Sequence, residues 1–365
     1  MESYTEEKID VVDKYDATCP SCSASIKFDP ASGTLTCPYC GYSESIPQPE
    51  LDANQTAQEL RFEDALEKDN FDWGEEKKIV ICNACSAESV YDVLEVANVC
   101  PYCGSNHVME SGAENALAPN GVIPFAITRE QADKNFKSWM QGKLFAPNEA
   151  KRSAKADAFN GVYLPFWTFD TQTSSQYSAQ YGIDRTEVDK EGKSRIVTDW
   201  YRTSGFYQEF IDDHLVRATN RYDAKLLHSV EPFDTNNSKS YNKTYLSGYI
   251  AERYSIGLED GWKIAQEGIH DRLHTAISQQ IQRENRADRV RNLQFSTSYS
   301  NITYKYIMLP IWLSSFRYKS KTYQFVVNGQ NGRVGGESPI SWIKVTFAVL
   351  LALAVIGVLY FFFGQ

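Results

Sequence analysis

Several motifs of catalysis are missing from this chain of 365 residues. It has no GxxxxGK[ST] loop to cradle nucleotide phosphates and no G-x-S-x-G elbow to expose a nucleophilic serine. All eight cysteines belong to CxxC pairs, so none is left over as a nucleophile. The sequence therefore argues against an ATPase and against these hydrolases, and we expect a protein that is not an enzyme.

Positive charge is also scarce, with 37 Lys and Arg against 47 Asp and Glu and a net charge of −10. Residues 1–76 hold 18 of the acidic residues but only 5 of the basic ones, which leaves the remainder slightly basic. Because proteins that bind a phosphate backbone usually carry a basic surplus, the balance argues against nucleic acid. The acidic N-terminal part is either a solvated leader or a docking surface for a basic partner.

The N-terminus lacks the pattern of a signal peptide, because its first ten residues include four acids. At the other end, residues 345–363 are uncharged and mostly apolar. As a helix they would span roughly 28 Å, close to the ~30 Å hydrocarbon core, whereas a buried soluble helix normally has a polar face. We expect a single transmembrane helix at 343–363, with Arg333 and Lys344 keeping the body cytoplasmic at the cell membrane.

The cysteines form two quartets with the same spacing, C-x2-C-x14-C-x2-C: Cys19, Cys22, Cys37 and Cys40, then Cys82, Cys85, Cys100 and Cys103. Disulfides suit exported chains, thioredoxin-like sites have a single CxxC, and iron–sulfur clusters usually have other spacings. Two CxxC turns can present four thiolates to a tetrahedral Zn ion. The spacing therefore predicts two zinc ribbons, and because four thiolates leave no open position, both ions are expected to be structural.

The body contains a second repeat, LPFW at residues 164–167 and LPIW at residues 309–312. Helix-period sequence precedes each copy, at 128–145 and 258–286, and alternating strands follow. We expect each proline at a strand edge or bulge. The predicted fold class is α+β, with two N-terminal zinc ribbons, a duplicated helix-plus-antiparallel-sheet body and one C-terminal transmembrane helix.

These observations together give the expected division of the chain: zinc ribbon 1 with an acidic leader at 1–46, an acidic linker with a short helix at 47–77, zinc ribbon 2 at 78–107, the duplicated body at 120–336, and the transmembrane helix at 343–363.

Three further patterns invite a functional interpretation. His270 and His274 have zincin spacing, but Asp271 replaces the catalytic Glu and no third ligand follows, so we interpret them as exposed helix histidines. The arginines at 283, 286, 289 and 291 alternate with acids, which indicates a solvated face or contact with acidic lipid heads. The two Asn-Gly pairs at 328–332 are typical of turns that join strands rather than of a phosphate loop.

The paired four-cysteine ribbons, the Trp73-Gly74 lead-in, the LPFW and LPIW strands, the VNGQNGRVGGESP hairpin and the terminal apolar run resemble the YdjG-like bacterial membrane proteins over nearly the whole chain. Members are often labelled primosomal or replication-factor-like. The resemblance implies an adaptor, encoded beside a phage-shock-protein A homologue, that recruits this homologue and an SPFH-type protein to the lipid bilayer during envelope stress. A nucleic-acid-binding replication or transcription protein is the alternative, and a homo- or hetero-oligomeric state is left open.

Overall fold

The computed structural model describes residues 17–46, 57–65, 77–82, 88–92, 108–111, 119–153, 159–188, 192, 194–220, 222–252, 254–319 and 321–363. The strands, numbered along the chain, are β1 (Ala17–Thr18), β2 (Ser25–Asp29), β3 (Thr34–Thr36), β4 (Ser43–Glu44), β5 (Leu60–Arg61), β6 (Lys77–Cys82), β7 (Glu88–Asp92), β8 (Val108–Ser111), β9 (Gly121–Val122), β10 (Asn160–Val188), β11 (Ser194–Arg217), β12 (Lys239–Ser240), β13 (Ile250–Ala251), β14 (Arg289–Tyr318), β15 (Lys321–Asn328) and β16 (Val334–Gly336). The helices are α1 (Phe62–Ala65), α2 (Arg129–Gly142), α3 (Asn148–Ser153), α4 (Ala224–His228), α5 (Leu258–Asn285) and α6 (Trp342–Phe363), with 3-10 turns at Thr235–Asn237 and Lys243–Leu246.

The strands form three sheets. A four-stranded sheet, β1-β2-β3-β4, carries the first cysteine quartet, and a small sheet has the order β7-β6-β8. The third sheet has nine strands with the main order β11-β10-β14-β15-β16. Its short strands attach at the sides: β5 and β9 pair with β14, β12 pairs with β9, and β13 pairs with β10. This large sheet is the framework on which the other described elements are placed.

Two very long strands dominate the large sheet, because β10 has 29 residues and β14 has 30. Their outer halves and the first part of β11 form a three-stranded extension that we call the arm, residues 171–188, 194–211 and 289–302. Helix α5 covers one face of the arm and buries an apolar stripe with a four-residue step: Ile269, Leu273, Ile277 and Ile281. This spacing keeps one helix face against the sheet.

The LPFW and LPIW segments lie side by side in the centre of this sheet, where Leu164 is paired with Leu309. Neither proline is at a bulge or an edge strand. Pro165 lies where β10 changes its neighbour from β13 to β11, and Pro310 lies where β14 changes from β9 to β15. On the side of the strand where the partner changes, no ladder continues across the proline, so a missing N–H does little harm there.

The predicted fold class was wrong in its duplicated body. The structure is mostly one antiparallel sheet with few helices, and the two LPxW strands are its neighbouring central strands instead of two separate units. Period-two alternation shows that a segment is a strand but says nothing about which strand it pairs with. The two helices were nevertheless well placed: α2 begins after a capping box at Thr128, and α5 spans nearly the predicted range.

The predicted transmembrane helix is a second correction. Among the residues that the structure describes, no helix combines the length and the apolarity needed to cross a membrane.

Candidate metal centre

The first cysteine quartet is built by two matching turns. In the first, between β1 and β2, the Cys19 N–H donates to the Ala24 carbonyl at 2.7 Å. In the second, between β3 and β4, the Cys37 N–H donates to the Tyr42 carbonyl at 2.8 Å. The fourth residue after each leading cysteine has a positive φ, 58° at Ser23 and 76° at Gly41. In the second turn Gly41 adopts this conformation without steric cost. Both turns direct their two sulfurs into the same cluster.

The four sulfurs converge. Sγ of Cys19 is 3.5 Å from Sγ of Cys40, Sγ of Cys22 is 3.6 Å from Sγ of Cys37, and all four lie within 4.8 Å of one another. A disulfide needs about 2.05 Å, so the thiols are not bonded to each other. Four sulfurs at about 2.3 Å from a tetrahedral Zn ion would be separated by about 3.8 Å. The sulfur positions therefore fit a four-thiolate metal ion.

Burial divides the quartet into two pairs. The leading cysteines, Cys19 and Cys37, are buried, whereas Cys22 and Cys40 are exposed. The backbone N–H of Cys40 is the main cause that lowers the pKa of the Cys37 thiol to about 6. The pKa of Cys22 is raised, because an N–H from Ala24 is outweighed by the neighbouring thiols of Cys40 and Cys37. Such a split is expected when one sulfur ionises beside others, and a bound cation would remove the repulsion.

Ribbon 1, residues 17–46, packs on the body through β2. The Phe28 ring is 4% exposed and meets the Tyr245 ring edge-on at 5.5 Å. The Phe28 N–H donates to the Ser247 carbonyl at 3.1 Å, and the Tyr249 hydroxyl donates to the Phe28 carbonyl at 3.3 Å. The buried Tyr163 hydroxyl of β10 donates to the Tyr245 carbonyl at 3.1 Å. A continuous chain of contacts therefore connects ribbon 1 to the central strand β10.

Only one cysteine of the second quartet lies within the described residues. Cys82 is the last residue of β6, and Cys85, Cys100 and Cys103 lie outside the described residues. The second zinc site thus stays a prediction. Within the described ranges, the first quartet is the only group of three or more Cys, His, Asp or Glu arranged to hold a metal ion.

The histidines and arginines singled out in the sequence are exposed, as predicted for the histidines, and several of them contact the arm. The His270 ring stacks on Phe295 of the arm with a centroid distance of 4.4 Å. Of the arginines, Arg289 pairs with Asp184 at 3.0 Å, and Arg291 lies over the Trp200 ring at 3.8 Å.

The Asn-Gly segment is a strand-joining turn, as predicted. Asn328 stands at the end of β15, and its side chain accepts hydrogen bonds from the backbone N–H groups of Gln330 and Asn331. Its side-chain NH₂ donates to the Val230 carbonyl at 2.9 Å, which fixes the turn to the body.

Sequence reasoning missed a group of charges where β5 meets the sheet, in which Lys305, Asp213 and Asp170 are largely buried and Glu59 is exposed. Lys305, with a side chain 8% exposed, places Nζ 2.5 Å from Asp213 and 3.4 Å from Glu59. The Asp213 N–H donates to Asp170 at 2.7 Å. Thr303 donates to Glu59 at 3.1 Å beside the β5–β14 pairing. The only sequence signal was a charged residue within otherwise apolar strands, and that pattern does not reveal its partners.

The carboxyl groups of Asp170 and Glu59 perturb each other. Burial, followed by the hydrogen bond with Glu59, raises the pKa of Asp170 to about 7. Burial works against the charged form of Lys305, but the Asp213 carboxylate and its acidic neighbours outweigh it and raise the pKa of Lys305. The group thus joins Glu59 of the segment after ribbon 1 to β10, β11 and β14. We assign it a structural role because it fastens this segment to the sheet.

A four-cysteine ribbon fixed to a large antiparallel sheet defines the chain as a protein with a candidate structural metal centre. The chain is similar to YdjG, an uncharacterized protein of Bacillus subtilis (strain 168), with 29% identity over 333 residues that cover 90% of this chain and 91% of that protein. This similarity supports the YdjG-like resemblance of the sequence. No protein-family model matches the chain. No solved structure matches it either.

Proposed function

We propose that the protein is a non-enzymatic adaptor that binds other proteins and whose first ribbon is held in shape by a structural Zn ion. The observation that supports this proposal is the four-sulfur cluster within 4.8 Å, in a ribbon packed against the body through Phe28. Four thiolates complete a tetrahedral shell, so an ion bound there has no position for water or substrate. Its contribution is to fix the fold of the ribbon.

The surface of ribbon 1 favours a protein partner over nucleic acid. Lys27 is its only basic residue. The stem of Lys27 lies against Gly248 of the body, where a Cβ would come within 2.7 Å of it. The Tyr39 side chain in the second cysteine turn is 79% exposed. Tyrosine is a frequent anchor of protein interfaces, whereas nucleic acid binding needs several cations near the phosphates.

The YdjG-like resemblance supplies the partner class for this proposal: a phage-shock-protein A homologue and an SPFH-type protein. The acidic leader supports binding of a partner with a basic face, because opposite charges favour encounter. The predicted location at the cell membrane stays a prediction.

A binding measurement with purified partners tests the proposal. The full chain and its Tyr39→Ala variant are titrated with the purified phage-shock-protein A homologue and, separately, with the SPFH-type protein. We expect saturable binding by wild type to at least one of them and at least tenfold weaker binding by Tyr39→Ala. Leu144→Ala is the matched control, because Leu144 is also 79% exposed but belongs to the body.

Two results would contradict the proposal. One is that neither protein binds the wild-type chain. The other is that the chain binds duplex or single-stranded DNA with an affinity that falls steeply as salt rises, the behaviour of a phosphate-binding protein.

A further inference from the structure

The arm ends in two strand edges that carry no neighbour among the described residues. On one side β11 pairs only with β10, and on the other β14 is paired with β5 at Thr303 and Tyr304 but not along 289–302. An unpaired edge offers a row of N–H and C=O groups to another strand, and proteins usually protect it with bulges or charges. The two edges differ in this respect.

The β14 edge is interrupted. Asn292 and Asn301 have φ values of 51° and 53°, and the pairing with β10 shifts register beside each of them. Left-handed residues and register shifts distort an edge and prevent continuous pairing with a new strand. The β14 edge is therefore a protected one.

The β11 edge has no such interruption between Ser194 and Ile211. Its ladder with β10 is continuous from Val188–Ser194 to Thr171–Ile211, and none of these β11 residues has a positive φ. The segment contains neither proline nor lysine, the residues that commonly block edge pairing. It is an uninterrupted edge of 18 residues that has no other neighbour among the described strands.

This open edge also carries exposed apolar side chains. Phe206 is 69% exposed, Ile196 is 68% exposed, and Phe210 is 53% exposed. All three have even numbers and therefore lie on the arm face opposite α5, because successive strand residues point to opposite faces. The described part of β14 exposes no comparable large hydrophobic side chain. The apolar surface thus coincides with the unprotected edge.

The segment is complementary to itself in an antiparallel pairing. With a two-fold axis at Thr203, Phe206 faces Trp200 of the second copy and Phe210 faces its Ile196, so that apolar side chains meet on one face. The three charged residues from 195 to 202 meet uncharged positions: Arg195 faces Ile211, Asp199 faces Tyr207, and Arg202 faces Ser204. No two like charges lie opposite each other. Directly opposite pairs of aromatic and β-branched side chains, such as Phe210 with Ile196, stabilise antiparallel strands.

We propose that β11 pairs antiparallel with β11 of a second copy of this chain, joining two arms into one six-stranded sheet. A paired segment of 17 residues is about 56 Å long, and a strip about 10 Å wide on each copy gives roughly 1,100 Å² of buried surface. That exceeds the ~1,000 Å² expected of a specific interface. Because the same edge is used twice, the assembly closes as a dimer and leaves no open end for fibre growth.

The oligomeric state of the full chain tests this inference. Sedimentation equilibrium should give twice the chain mass for wild type. Phe206→Lys should shift the mass toward one chain, because it replaces the apolar partner of Trp200 with a charged side chain at two places, one on each side of the axis. Gln294→Lys, at an exposed position on the β14 edge, should leave the dimer intact. Circular dichroism and thermal unfolding of each variant verify that the monomer fold is kept.

A crosslink tests the register independently. Residues opposed in an antiparallel pair have Cα atoms about 4.5 to 5.5 Å apart, within reach of a disulfide. Mild oxidation of Thr203→Cys should therefore yield a peptide that links position 203 to position 203, identified by mass spectrometry apart from the native cysteines. Gln294→Cys should give no such symmetric link.

Three results would overturn the inference. The first is a wild-type chain that stays monomeric at its highest soluble concentration. The second is a dimer that is unaffected by Phe206→Lys. The third is a mass that changes only when a different protein is added, which would mean that the chain binds a foreign protein instead of a second copy of itself.

Discussion

Removing the Phe28 ring should weaken the packing of ribbon 1 against the body while leaving both parts folded. The ring is 4% exposed and lies edge-on to Tyr245. Truncation of a buried Phe to Ala destabilises a core by about 3 to 5 kcal/mol. The two hydrogen bonds at the Phe28 backbone can persist in the variant, so we take the lower value. About 3 kcal/mol makes opening of the docked state roughly a hundredfold more frequent.

Hydrogen exchange measures this opening directly. In Phe28→Ala, amides in 25–29 and in 243–249 should exchange roughly a hundredfold faster, while the α5 amides keep their protection. Tyr39→Ala is the control within the same ribbon, because Tyr39 is largely exposed and should change neither segment. Unchanged exchange in both segments would refute the docking energetics. Equal loss of protection across α5 would show that ribbon 1 and the body unfold as one unit.

Two further predictions concern the body. Burial raises the pKa of Asp170 from its ordinary value of 3.8 to about 7 in the folded chain. The protonated form therefore stabilises the fold below about pH 4, and this contribution is lost as pH rises to about 7. In Asp170→Asn, thermal unfolding from pH 4 to pH 8 should lack this decline, and a profile parallel to wild type would contradict the assignment. Gly261→Ala should destabilise by about 1 to 3 kcal/mol in denaturant titrations, because its Cβ would lie 2.7 Å from the fully buried Trp167 ring. The α2 variant Gly142→Ala meets nothing within 4 Å and should be neutral or stabilising, so equal effects of the two would disprove the packing argument.

The features that were predictable from the sequence depend on local spacing. Two CxxC turns separated by 14 residues require two hairpin-like turns that face each other, and the Cys19 and Cys37 turns do so. Helix α5 follows from apolar residues at intervals of four, and α2 follows from the capping pattern at Thr128. These signals depend on residues that are close together in the sequence, so they can be recognised without knowledge of the tertiary contacts.

The features that were not predictable depend on distant contacts. The pairing of Leu164 with Leu309 joins strands 145 residues apart in the sequence, and alternation within each strand does not indicate its neighbour. Lys305 and Glu59 are separated by 246 residues.

Metal analysis of the purified chain is the most direct test of the central claim, that Cys19, Cys22, Cys37 and Cys40 hold a structural Zn ion. Purified under reducing conditions, the wild-type chain should contain two Zn ions if both quartets bind metal, and Cys37→Ser should contain one fewer. Thr36→Ser, a neighbouring change that leaves every sulfur in place, should keep the full metal content. A wild-type chain without zinc, or a Cys37→Ser variant with unchanged zinc, would contradict the account.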